Sequence, residues 1–310
     1  MKIHFVILLL FFFIQIISAQ NKNICFTIDD LPVVSYGMND TAFQRKLMDG
    51  IINSLKKHNI PAIGFVNERK LYSNDSVNKF QVSLLEKWLD NNLELGNHTF
   101  SHPDYNKVSF ADFAQDVLKG ELISKQILAE RYKSLKYFRH PFLHIGNTKE
   151  KYDSLTNFLK SINYKIAPVT IDNEDYVFAV AYKRAKEKND FTLAAKIGGD
   201  YITYMEKKLH FFENQSQKLF GKNINQILLM HASWLNSNYI DSLAIMLKKN
   251  GYNFISMDET LKDELYQTEI TKFGNWGISW LDIWALSQGK KGDFFKDDPP
   301  TPDYIKKLAQ

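Results

Sequence analysis

Asp29 and Asp30 leave an apolar stretch as adjacent carboxylates. Further along come His98 and His102, four residues apart, then Arg139, the acidic run Asp172-Asn173-Glu174-Asp175, and His231. Carboxylate and imidazole are the ligand types of a divalent metal site. Two His and one Asp leave coordination positions open for water and substrate. A second carboxylate beside such a site can act as a base, and a histidine held by an acid can return the proton. The combination is equipment for metal-assisted hydrolysis of an amide or ester. Each stretch also has a plainer reading. An Asp pair before Leu-Pro is ordinary turn composition. Two loop histidines can be packing residues, and a strand-end arginine can be a buried ion pair that only holds the sheet.

The elements expected to position these groups alternate between strand and helix. Apolar strands are expected at 24–28, 62–66, 93–95, 137–139, 165–169, 227–230 and 253–256. Helical spacing is expected over 41–58, 79–91, 110–131, 149–162 and 240–249. Alternation of this kind argues for a parallel sheet, whose carboxyl-terminal strand ends carry the chemistry. The pattern does not distinguish a barrel from an open sheet. Successive residues leaving a strand point to opposite sides, so Asp29 and Asp30 cannot do the same job. If the 98–102 stretch forms a helical turn, both rings share one face and reach one cation. Arg139 is placed to clamp the Asp29 carboxylate. Asp175 is a candidate partner to orient His231.

Two segments break the rhythm. Residues 176–222 read as a mostly helical insertion, and the tail 266–310 holds Trp276, Trp280 and Trp284 followed by a Pro-rich stretch. Tryptophans at that spacing suit a packing stripe better than a sugar platform. In the insertion, Tyr201, Tyr204, Phe211 and Phe212 are candidate stacking faces, with core packing the plainer fate.

The chain has 310 residues, 45% of them hydrophobic and 24% charged, the balance of one large globular domain. Net charge is +4, or +3 once Lys2 is lost with a leader, too mild to argue for nucleic acid. Cys25 is the single cysteine, which excludes an intrachain disulfide. Lys2 followed by an apolar run to Ile17 and small residues at Ser18-Ala19 reads as a signal peptide over 1–19, with Gln20 next. The run is short of the about 20 residues a membrane span needs. Export to the periplasm or outside the cell, as a monomer without a transmembrane segment in the mature chain, is the expectation. Ser233 lacks a Gly-x-Ser-x-Gly elbow, and Gly198-Gly199 lacks a phosphate-loop context. His140 and His144 flank Pro141 with no role assigned.

Taken in order, the motifs resemble those of the polysaccharide deacetylase family, the NodB-homology group that forms carbohydrate esterase family 4. Thr27-Ile28-Asp29-Asp30-Leu31-Pro32 resembles its T-F-D-D-G-P, and His98-Thr99-Phe100-Ser101-His102 its H-[ST]-x-x-H. Arg139-His140-Pro141-Phe142 resembles R-x-P-[YF], Asp172 to Tyr176 resembles D-x-x-D-W, and Leu229-Met230-His231 resembles L-x-H. The resemblance implies a distorted α/β barrel of about seven parallel strands over 20–265, with the 176–222 insertion before the last catalytic strand. It implies Asp29 as base, and Asp30, His98 and His102 as ligands of zinc, with cobalt or nickel as alternatives. Arg139 would tether Asp29, the Phe142 N–H would help hold the oxyanion, and His231 tuned by Asp175 would be the acid. The implied substrate is an acetylated glycan, peptidoglycan or chitin-type, losing N-acetyl groups. The alternatives are O-acetyl esterase action on xylan, or glycan binding without turnover. Leu31 stands where the family has glycine, so the turn must bend differently. Tyr176 replaces tryptophan and bears on substrate preference.

Overall fold

In the computed structural model, described for residues 22–310, seven parallel strands form the central sheet. The expected leader, 1–19, lies outside the described residues. The strands are β1 (Lys22–Val34), β2 (Ile63–Val66), β3 (Glu94–Asn97), β4 (Tyr137–Phe138), β5 (Lys165–Ile166), β6 (Gln226–Ser233) and β7 (Tyr252–Phe254). Their order is β5-β4-β3-β2-β1-β6, and β7 joins β1 only at Lys22–Ile24. The chain leaving β5 makes an isolated parallel bridge from Ile171 to Leu228 on β6. That contact links the two ends of the sheet, giving the distorted α/β barrel that the motifs implied. β1 holds the centre because its residues Ile24, Cys25, Phe26 and Ile28 are wholly buried and it pairs on both sides.

The helices form where caps and apolar spacing coincide. Thr41–Lys57 starts at Asp40, whose side chain accepts from the Phe43 N–H, and buries Leu47, Met48, Ile51, Ile52 and Leu55. The single helix expected over 110–131 is two, Phe110–Lys119 and Leu122–Ala129. The break sits at Gly120, where a Cβ would lie 2.3 Å from the Thr99 carbonyl carbon. The helix end has given up its continuation to let the 98–102 loop press against it. Asp116, one turn earlier, accepts from the N–H groups of Phe100 and Ser101, both at 2.8 Å.

The insertion is two helices, Asp175–Glu187 and Phe191–Phe220, the second ending at left-handed Gly221. Tyr201, Phe211 and Phe212 are buried in the core, whereas Tyr204 also touches the main cavity. The tryptophan stripe is shorter than its spacing suggested. The helix runs Trp280–Ser287, with Trp280 and Trp284 buried edge to face 5.8 Å apart, and Trp276 precedes it. The tail is held by Trp280 N–H donating to Val169 O at 2.8 Å and by Lys208 paired with Asp298 at 2.5 Å. Among the described residues, no helix is long and apolar enough to cross a membrane.

Candidate active site

The carboxyl ends of β1, β3, β4 and β6 converge on a cavity of about 830 Å³. Its lining includes Asp29, Asp30, His98, His102, Phe142, Asp172 and His231. Asp29 and Asp30 do not simply follow β1; they lie within it, where its register slips against both neighbours. The turn expected to replace a missing glycine is solved by Asp30 itself, which adopts a left-handed φ of 65°. Aspartate tolerates that region better than most residues. The kink sends the two carboxylates different ways. Lys70, which the motif reading did not include, donates to the Asp30 carbonyl at 2.7 Å and stands 3.8 Å from its Oδ1. Burial opposes ionisation of Asp30, but Lys70 and the surrounding histidines outweigh it and hold the carboxyl below its usual range.

The two histidines are not on a helical turn as the spacing suggested. Thr99 and His102 have φ of 66° and 57°, and the loop is irregular. It is fixed instead by hydrogen bonds: Asn97 Oδ1 accepts from Thr99 N at 2.7 Å, and Thr99 Oγ1 accepts from His102 N at 3.1 Å. His98 Nδ1 lies 2.9 Å from the Arg139 carbonyl, which can only accept, so Nδ1 carries the hydrogen and Nε2 keeps its lone pair. One ligand atom from each of Asp30, His98 and His102 lies within 4.8 Å of the others. Burial lowers both imidazoles to about 4, so they are neutral and able to donate electron pairs near pH 7. A carboxylate and two neutral imidazoles at this spacing fit a zinc-like ion after small inward movements, given Zn–N bonds of about 2.0–2.1 Å.

Arg139 follows β4 and is almost wholly buried. Its Nη2 donates to Thr27 Oγ1 at 3.0 Å, its Nη1 stands 3.6 Å from Asp29 Oδ2, and its guanidinium lies 4.7 Å from the Phe65 ring centre. The contact with Asp29 is an ion pair, not a direct hydrogen bond. Burial raises the Asp29 carboxyl above its usual range, while Arg139 and His231 act against the rise. Asp29 Oδ1 has no hydrogen-bond partner among the described residues, so the carboxylate retains acceptor capacity.

β1 and β6 pair in a register that sets Asp29 directly opposite His231. His231 Nδ1 lies 2.7 Å from Asp175 Oδ1, and its backbone N–H donates to Asp175 Oδ2 at 2.8 Å. Asn236 donates to the same Asp175 Oδ2 at 2.7 Å, and Tyr201 in turn donates to Asn236 at 2.8 Å. Burial alone would lower the His231 pKa; the buried Asp175 carboxylate outweighs it and pushes it to about 9. The imidazole is therefore a proton donor near neutrality, with Nε2 the available atom. Asp175 begins the first insertion helix, and Asn173 Oδ1, two residues before it, accepts from Asp175 N at 3.0 Å. Asp172 lines the cavity, and burial, opposed by Lys208, raises its pKa to about 6.

Phe142 has φ of 56° and a half-exposed ring that contacts His102 at 4.5 Å between centroids. Gly277 of the tail seats against its carbonyl; a Cβ there would stand 1.8 Å from Phe142 O. The structure thus brings together all eight residues selected from sequence. It adds Lys70, Asn236, Tyr201 and Gly277, none of which sits in a motif. Contacts with motif residues single out Lys70, Asn236 and Gly277, and Tyr201, named above only as a stacking candidate, enters through its hydrogen bond to Asn236.

Residues 17–160 match the family described as polysaccharide deacetylase. A peptidoglycan-N-acetylglucosamine deacetylase from Listeria monocytogenes is 22% identical over 249 residues, covering 80% of this chain and 41% of that protein. A peptidoglycan-N-acetylglucosamine deacetylase from Bacillus cereus is 26% identical over 143 residues, covering 46% of this chain and 44% of that protein. The chain thus spans about two fifths of the length of these curated relatives. A solved family 4 carbohydrate esterase pseudoenzyme from Bacillus anthracis superposes with TM-score 0.50 at 17% identity, covering 78% of this chain and 66% of that one. The last likeness concerns the fold alone. Five motifs stand in order on a parallel-strand barrel, and residues 17–160 carry a domain that matches the polysaccharide deacetylase family.

Proposed function

We propose that this protein hydrolyses acetyl groups from N-acetylhexosamine-containing glycans, releasing acetate and a free amine. The observation that carries this reading is the pairing of Asp29 with His231 across two strands, beside the Asp30, His98 and His102 cluster in one cavity. Asp30, His98 and His102 would hold the divalent cation, zinc by ligand type. When bound, that cation supplies Lewis-acid polarisation of the acyl oxygen and of water. Asp29 accepts the proton of the attacking water at its carboxylate. The Phe142 N–H helps stabilise the charge that develops on the acyl oxygen. His231 delivers a proton from Nε2 to the departing nitrogen, and Asp175 holds the ring in place for that transfer. Arg139 keeps Asp29 ionised and aimed. The names of the curated relatives support N-acetylglucosamine as the sugar, and the 1–19 leader composition supports export.

Acetate release by residues 20–310, supplied with zinc, tests the reading on N-acetylglucosamine oligomers and on acetylated xylan. Release from the oligomers is expected. Release from xylan alone would make the protein an ester hydrolase, and sugar binding without release would make it a binding member of the family.

The His231 pKa gives a further expectation. The protonated acid is the active form, so kcat is lost as pH rises through the folded-state value of about 9. A bound dication would lower that value, so the alkaline limb lies at or below it. Asp175→Asn removes the charge that raises the pKa. The limb should then move to lower pH and kcat at pH 8 should fall about 10²-fold. A pH–rate profile with an unmoved limb would remove Asp175 from this role.

A further inference from the structure

A second histidine–carboxylate pair faces the same cavity. His144 Nδ1 lies 2.6 Å from Asp104 Oδ1. That carboxylate is fixed in turn, because its Oδ1 also accepts from Asn106 N at 3.0 Å and its Oδ2 pairs with Lys107 at 3.1 Å. With the carboxylate accepting, Nδ1 carries the hydrogen, and Nε2 has no hydrogen-bond partner among the described residues. His144 lines the cavity, and its backbone N–H donates to Pro141 O at 3.1 Å, locking it into the loop that presents Phe142. The Phe142 ring contacts His102 at 4.5 Å and His144 at 5.8 Å. His144 is therefore one aromatic ring removed from the metal cluster, outside ligating distance but on the same cavity wall. Gly277 makes room for it: a Cβ there would be 3.0 Å from His144 Cδ2.

We propose that His144 is a specificity-determining residue whose Nε2 forms a hydrogen bond with a hydroxyl of the bound glycan, with Asp104 fixing the orientation of the ring. This inference rests on the deacetylase reading. A preorganised polar atom at a fixed offset from the reacting centre suits a sugar hydroxyl, which can either donate or accept. It discriminates against acetyl compounds that lack hydroxyls, because those leave Nε2 unpaired. The phenyl face of Phe142 lies between the two points as an apolar surface for the sugar ring.

The test compares wild type, His144→Ala and His144→Phe, all loaded with zinc, on N-acetylglucosamine oligomers and on an aryl acetate without a sugar. Loss of one neutral hydrogen bond is expected to lower kcat/KM on the oligomers about tenfold in both variants, mostly through KM. Hydrolysis of the aryl acetate and zinc content should stay within about twofold of wild type. The phenylalanine variant keeps the ring and removes the nitrogens. If only the alanine variant loses activity, the ring packs and does not recognise, and the inference fails. Equal losses on both substrates would also overturn it, since recognition of a hydroxyl cannot affect a substrate that has none. An active wild type with unchanged variants would overturn this inference alone. A wild type that cleaves the aryl acetate but no sugar would overturn both it and the deacetylase reading.

Discussion

Asp29→Asn should lower kcat on N-acetylglucosamine oligomers by about 10³-fold while zinc still binds at full stoichiometry. The amide keeps the shape of the carboxylate and loses its ability to take a proton from water. The site around it makes this a demanding substitution. Arg139 is buried beside Asp29, and its remaining polar contact through Nη2 is to Thr27. Removing the carboxylate charge leaves the guanidinium without its counter-ion, a change that costs about 3–5 kcal/mol when a buried pair is broken. Urea unfolding beside the kinetics separates the two effects. A folded, zinc-loaded Asp29→Asn protein with activity within tenfold of wild type would rule out Asp29 as the base. The double variant Asp29→Asn with Arg139→Met should recover part of the lost stability and none of the lost rate.

Removing the metal should have an equally large effect. Dialysis against a chelator is expected to reduce acetate release by at least about 10³-fold, with recovery on adding zinc, cobalt or nickel. His102→Ala should abolish both zinc retention and activity. It is a better probe than His98→Ala because the His102 side chain is a quarter exposed, whereas His98 is buried and hydrogen-bonded to Arg139 O. Metal binding to the folded state alone also raises stability, by about 4 kcal/mol at a free concentration 1,000 times the dissociation constant. Melting of the wild type should therefore move upward with zinc, and melting of His102→Ala should not. Full activity in chelated protein, with metal absent by elemental analysis, would exclude the proposed chemistry.

Much of this arrangement was visible in the chain. Alternating apolar segments and helical stripes identified the parallel α/β class, because a strand buried on both faces and a helix buried on one leave different periodicities. The motif residues were identifiable because their types are chemically uncommon in combination, and their order along the chain matched one family. Local conformation was harder to read. The 98–102 stretch has helical spacing but an irregular path, since Asn97 and Asp116 satisfy its backbone groups in place of helical bonds. The 110–131 stripe continues through Gly120 in sequence but breaks there in space, because the loop carrying His98 and His102 needs that room.

By itself, then, the sequence determined the fold class, the candidate ligands, base and acid, and the resemblance to one family, all of which depend on residue type and order. The tertiary structure alone decided how they meet. The β1–β6 register places Asp29 opposite His231, although about 200 residues separate them, and a slip by one residue would turn one of them away. It also decided the supporting contacts. Lys70 on Asp30, Asn236 on Asp175, Asp104 on His144 and Gly277 against Phe142 join segments distant in the chain. Such contacts follow from packing geometry, which a local pattern does not encode, because hydrogen bonds and close approaches depend on positions in space and not on spacing in sequence.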